Sequence, residues 1–243
     1  MDFIPSCDDR IDAVDTLARL YGTTKLSIES ITGDKWPAFV EWEDGYSPFE
    51  SWELLNYLFG VQLGVTWECR LTDAAFYHRT RYDGSDRWFY EGIKDAQFGA
   101  EKLLEYIRPQ LKEPQFERAL SCALANIADR DQGLNYVGPY AFNTFGEARA
   151  AEVAGLYYDV PEFLTGHRFW NQDFSDLVAG LIRENLKPVI VKFKAPVSDT
   201  ERYVTSLWHY LYRVDHGMEL IPLTHSKCSG EVLGSEILKI FPL

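Results

Sequence analysis

The sequence is poor in the features that announce a chemistry outright. Its four cysteines (Cys7, Cys69, Cys122 and Cys228) are widely scattered and form no C-x-x-C pair, which argues against a disulfide scaffold and fits a reducing compartment. Cys122 falls inside a helical pattern, where the expected role is that of a small buried apolar residue. Lys and Arg number 24 against 37 Asp and Glu, a net charge of −13. Without a basic excess the whole chain cannot rely on counterion release to hold nucleic acid, although a local basic patch remains compatible with that balance. No window approaches the roughly 18 uninterrupted apolar residues of a membrane span. The opening "MDFIPSCDDR" has neither a basic n-region nor an apolar h-region, so no signal peptide and a cytoplasmic location are expected. Internal repeats, low-complexity tracts, a Walker loop, a zinc-ligand signature and a nucleophile elbow are all missing.

What is present is apolar and aromatic. Hydrophobic residues make up 46% of the 243, and seven Trp and fourteen Tyr exceed what filling a core requires. A chain of this length supports one generous domain, or a catalytic domain with an extension. "DDRIDAVDTLARLYG" predicts a first helix through Ile11, Val14, Leu17 and Ala18, capped by Asp8 or Asp9 and ended at Gly22. "AFVEW" reads as a short strand, and "SPFESWELLNYLF" as a helix opened by Ser47, Pro48 and Glu50. Residues 1–68 are therefore expected to form a mostly helical N-terminal extension to a domain over 69–243.

Within that domain, "AAFYHRTR" reads as a strand and "DRWFYEGIKDAQ" and "GAEKLLEYI" as short helices. Phe116, Leu120, Ala123, Leu124 and Ile127 share one helical stripe, and so do Phe174, Leu177, Val178, Leu181 and Ile182. "PVIVKFKAP" alternates as a strand does, "SDTERYVTSLWHYLYRV" returns to helix, and "MELIPL" and "EILKIF" read as closing strands. Strands and helices do not alternate strictly, so the predicted class is α+β with a mixed or antiparallel sheet.

Two constellations bear on chemistry. His209, His216, His225 and Cys228 cluster late in the chain, but only "HSKC" has the spacing of a ligand pair, and no metal is expected. The second is an order of short motifs: "FYHRT", then "GPYAFNTFGEARAAE", then the strong strand "KPVIVKFKAP", then "MELIPL" and "EVLGSEILKIF". This succession resembles the His-Tyr-Glu branch of the ADP-ribosyltransferases, which includes poly-ADP-ribose polymerases, tRNA 2′-phosphotransferases and bacterial toxins that modify DNA bases. The likeness runs over about residues 70–243 and implies a split, mixed or antiparallel β-sheet core with flanking helices.

The resemblance further implies a glycosyltransferase that consumes NAD, with no metal, as a bacterial or phage toxin, effector or defence enzyme. Such an enzyme acts in its own cytoplasm or in that of a host or competitor. Under it, His78 binds the adenosine-side ribose with Thr80 close by, and Arg79 or Arg81 contacts the pyrophosphate. Tyr140 stacks on the nicotinamide, and Tyr157 or Tyr158 forms a second wall. Glu219 is the acid, with Glu231 as the alternative. The family often has glycine after its histidine, where this chain has Arg79. The acceptor is left open among protein, nucleic acid and small molecule, and a cognate antitoxin is a possible partner. The other readings are an inactive nucleotide- or protein-binding module of the same fold, an acidic antitoxin or interaction protein, and a metal-assisted hydrolase built on the late histidines.

Overall fold

The computed structural model describes residues 3–40, 51–131, 139–150, 164, 172–220, 225–227 and 231–243. In chain order its elements are α1 (Arg10–Leu20), α2 (Lys25–Glu29), α3 (Trp52–Leu63), β1 (Asp73–Tyr82), α4 (Ala96–Ile107), α5 (Glu113–Asp131), β2 (Tyr140–Phe142), α6 (Phe145–Ala150), α7 (Gln172–Asn185), β3 (Lys187–Pro196), α8 (Thr200–Asp215), β4 (His225–Lys227) and β5 (Ile237–Pro242). The strands order as β4-β2-β1-β3-β5, so the fold is α+β. β1 pairs antiparallel with β2 through Tyr77 and Phe142, and β3 pairs antiparallel with β5 from Val189–Pro242 to Phe193–Ile237. Among the described residues no helix is long and apolar enough to cross a membrane.

The backbone divides into two compact units. The first takes in Met1–Tyr77, Ala141–Ala151 and Lys194–Ser226, and the second His78–Tyr140, Glu152–Phe193 and Lys227–Leu243. The first 68 residues are therefore not set off by themselves: α1 and α3 pack on α8, more than a hundred residues later in the chain.

In the first unit, α1 begins at Asp9, whose carboxylate accepts from the Asp12 N–H at 2.9 Å, and it buries Ala13, Val14, Leu17 and Ala18. Ile11, expected on that face, is 73% exposed. α3 starts at Trp52 with Ser51 as its cap; Ser47, Pro48 and Glu50 lie outside the described residues. Ala38 and Phe39 sit in a turn, closed by the Val40 N–H on the Pro37 carbonyl at 2.9 Å, so no strand forms over 38–40. α8 is capped by Asp199 and buries nearly every residue from Tyr203 to Leu211. Trp208 at its centre stacks on Phe59, centroids 3.9 Å apart and 10° between planes.

This aromatic core is threaded by a buried polar web. The Trp208 indole N–H donates to Tyr21 Oη at 3.1 Å, and Tyr21 donates to the Asn56 carbonyl. The Asn56 amide donates to Glu201 Oε2 at 2.6 Å, and the Trp67 indole donates to the same carboxylate at 2.9 Å. Buried donors and acceptors are matched here, as low-dielectric burial demands.

The second unit is mainly aliphatic, with Phe116 and Phe174 as its buried rings. α4, capped by Asp95, packs on α5 and α7. Their shared cluster contains Ala100, Leu104, Ile107, Ala119, Ala123, Val178, Ile182 and Leu186. Cys122 and Leu120 pack at its margin, while Leu177, expected on the inner stripe of α7, is exposed. β3 is buried on both faces from Val189 to Val191 and alternates only from Lys192 onward, as a strand does where helices or loops cover both sides. Ile93 and Val232 exchange backbone hydrogen bonds at 2.8 and 2.9 Å. Gly92 and Gly234 flank that bridge, and a Cβ on either would collide with the opposing backbone, so the crossing demands glycine at both.

Candidate functional site

β1 carries His78, Arg79, Thr80 and Arg81 in sequence. His78 and Thr80 are half-buried, whereas Arg79 and Arg81 are buried. Arg81 Nη1 donates to the Leu186 carbonyl at 2.6 Å, with the Arg183 carbonyl at 3.4 Å. It thus meets the orphan carbonyls and negative end of α7, a stabilising place for a cation. Tyr140 opens β2, the strand that pairs with β1. Tyr157 and Tyr158 lie outside the described residues.

The two candidate acids stand in different settings. Glu219 belongs to the first unit and is exposed; Met218–Leu220 form no strand, contrary to the expectation that this acid opens one. The turn after α8 and the Arg213 guanidinium explain the difference. Arg213 donates through Nε at 2.7 Å, and through Nη2, to the Glu219 carbonyl. A carbonyl engaged by a side chain is drawn away from strand pairing, while the carboxylate stays in solvent. Glu231 belongs to the second unit, as do His78 and Tyr140. Its Oε2 pairs with Lys94 Nζ at 3.0 Å on the segment beside the Ile93–Val232 bridge.

The late histidines divide as well. His209 is 6% exposed within α8, and burial followed by the charge of Arg213 lowers its pKa to about 4. His216 caps the end of the same helix and is exposed. His225 lies in β4, and Cys228 is outside the described residues. Among the described residues no group of three or more His, Cys, Asp or Glu side chains is arranged to hold a metal.

Two arrangements escaped the sequence reading. Thr144 Oγ1 accepts from the Glu147 N–H at 3.1 Å and donates to its carboxylate at 3.2 Å, fixing the start of α6 directly after β2. The T-x-x-E spacing was the available signal. Beside it, Tyr77 Oη donates to Asp8 at 2.5 Å and accepts from the Cys7 N–H at 3.1 Å. The Phe145 N–H then donates to the Cys7 carbonyl. Burial above all, then the charges of Cys7 and Asp8, pushes the Tyr77 phenol far up, so it remains a neutral donor. The second arrangement is a cleft of about 400 Å³ in the first unit, walled by Trp36, Tyr212 and His216. "GDKWPA" and "YRVDHG" hold its residues, but nothing in either stretch signals that they meet.

Comparison of the chain with protein-family models, with curated proteins and with solved structures returns no match.

Proposed function

We propose that this protein is an NAD-consuming ADP-ribosyltransferase of toxin, effector or defence type. The observation that carries the reading is the side-by-side pairing of β1, which bears His78, with β2, which Tyr140 opens. Two residues more than sixty positions apart in the chain thus sit on neighbouring strands of an α+β sheet, in the order the resemblance calls for. In the reaction the bond between nicotinamide and its ribose breaks, nicotinamide leaves with the bonding pair, and positive charge develops on the ribose. A fixed carboxylate beside that charge lowers the barrier, and an acceptor nucleophile then bonds to the same carbon and gives up its proton. His78 is assigned the ribose, Tyr140 the nicotinamide face, and Glu231, which belongs to the same unit as both, the carboxylate role.

The acid is the assignment most easily tested, because both candidates are exposed and their replacement spares the core. Nicotinamide release from NAD is measured for wild type, Glu219→Ala and Glu231→Ala. Glu231→Ala is expected to lower release by about a hundredfold or more, and Glu219→Ala, which removes an exposed carboxylate of the other unit, to change it by less than about twofold. The opposite ranking transfers the role to Glu219. Equal rates in all three proteins remove the carboxylate chemistry and the reading with it.

A further inference from the structure

The acid assigned above carries a counterion. Ile93 and Val232 exchange both backbone hydrogen bonds, at 2.8 and 2.9 Å, so their segments run antiparallel and the neighbouring residues Lys94 and Glu231 stand opposite one another. Lys94 Nζ donates to Glu231 Oε2 at 3.0 Å. The backbones beside the pair are fixed independently of it. A Cβ on Gly92 would strike the Val232 carbonyl and one on Gly234 the Tyr90 carbonyl, and Ile93 and Val232 are both buried. The two charged side chains are held less firmly, since that of Lys94 is 25% exposed and that of Glu231 42%. An ion pair so open to water contributes little to stability and changes partners at little cost.

As it stands, the pair opposes the reaction assigned to Glu231. An ammonium 3.0 Å from the carboxylate offsets the negative charge that has to meet the positive ribose. Cleavage at full rate therefore requires that Lys94 takes another anion when the substrate binds. NAD brings one. Its pyrophosphate outweighs a single carboxylate in charge and is joined to the nicotinamide ribose through that sugar's 5′ carbon, within the span of a lysine arm. The sequence suggests Arg79 or Arg81 for this contact. Both are buried, however, and Arg81 Nη1 is bound to the Leu186 carbonyl at 2.6 Å. Lys102, in the same unit, donates to the Trp88 carbonyl at 2.7 Å. Lys94 differs from these in being paired with the very carboxylate that the reaction needs bared.

We propose that Lys94 is the pyrophosphate-binding residue of the NAD site. When the dinucleotide binds, the ammonium leaves Glu231 for the phosphate oxygens, which anchors the substrate and frees the carboxylate for the ribose. The inference rests on the ADP-ribosyl reading with Glu231 as the acid, and adds to it the group that makes that acid available.

The test is calorimetric titration of the full chain with ADP, which has the pyrophosphate but no nicotinamide ribose for Glu231 to touch. It is run on wild type, Lys94→Met, Lys94→Arg and Glu231→Gln, with thermal unfolding as the check on folding and nicotinamide release from NAD measured in parallel. Lys94→Met is expected to weaken ADP about tenfold, and Lys94→Arg to keep it within about threefold, because a phosphate-binding charge remains. Glu231→Gln should tighten ADP up to about fivefold, since the ammonium is no longer shared with a carboxylate. A lysine with a structural role alone produces no such gain. Equal ADP affinity in wild type and Lys94→Met overturns the proposal, as does a Glu231→Gln variant that binds ADP no better than wild type, or a wild type that does not bind ADP at millimolar concentration. In each of these cases nicotinamide release by the wild type leaves the ADP-ribosyl reading standing. Lys94-dependent ADP binding without nicotinamide release has the opposite meaning: the phosphate contact holds and the transfer reading falls.

Discussion

The two units of this chain solve the same problem with different materials. The first is built around stacked and tilted rings, Trp208 on Phe59 and Tyr21 on Trp67, stitched by hydrogen bonds that Asn56 and Trp67 donate to Glu201. The second is built mainly from alanines and branched aliphatics on α4, α5 and α7, with Phe116 and Phe174 among them. An aliphatic interface tolerates small shifts, because dispersion between methyl groups is non-directional. Rings with polar edges do not, since each N–H and O–H must keep its partner. Among the described residues Tyr21, Tyr77, Tyr203, Trp208 and Tyr210 are buried in the first unit, and Trp36 and Tyr212 line the cleft at the end of α8.

That contrast can be broken by substitution. Trp208→Ala removes the largest buried ring and leaves Tyr21 without a donor on its hydroxyl; a loss of about 4 kcal/mol is expected in urea unfolding. Leu104→Ala in the aliphatic cluster should cost about 3 kcal/mol, with Leu104→Met nearly neutral because volume is conserved. If Trp208→Phe proves as mild as Leu104→Met, the polar web contributes nothing specific and the contrast fails.

Acid titration sharpens the same point at His209. Its folded pKa of about 4 lies below the ordinary value of 6.5, so the unfolded chain takes up a proton that the folded chain refuses. This costs nothing above pH 6.5. Stability then falls as pH drops from there towards 4, by up to about 3 kcal/mol. Unfolding of wild type and His209→Gln across that window should show a shallower decline in the variant, and parallel curves would remove the histidine from the account.

A smaller effect, about 2 kcal/mol, is expected for Glu201→Ala, which strands the Trp67 and Asn56 donors. The smallest belongs to the helix caps. Asp9→Ala and Asp95→Ala each lose a carboxylate that accepts from the third residue on, and each should cost about 1 kcal/mol. Because capping is local, the two should agree although their units differ in core chemistry.

The elements were legible where local rules act alone. Asp9 as a cap, the 3.6-residue stripe of α7 and the alternation after Lys192 in β3 follow from spacing, and the α+β class follows from their order. The partition of the chain was not legible, because the packing of α1 and α3 on α8 is a long-range event that no window contains. The start of α3 was misplaced for a related reason: both Ser47-Pro48 and Ser51 carry capping chemistry, and local sequence does not rank them. "MELIPL" reads as a strand by composition, yet its described part, Met218–Leu220, forms none, and Arg213 occupies the Glu219 carbonyl, a contact six residues back that hydrophobic alternation does not register. Of the candidate site, the sequence put His78 on a strand and Tyr140 in an extended segment, but that these strands are neighbours comes only from the sheet pairing. The cleft at Trp36 was not anticipated, since its members lie about 180 residues apart and each looks like ordinary core.

The central claim is that the chain binds and cleaves NAD. Proton NMR of the wild-type protein with NAD reads both at once, through saturation transfer to the bound dinucleotide and the appearance of free nicotinamide resonances. The account predicts both signals, with nicotinamide release lowered about a hundredfold and folding retained in Glu231→Ala. A folded wild-type protein that gives neither saturation transfer nor nicotinamide contradicts it.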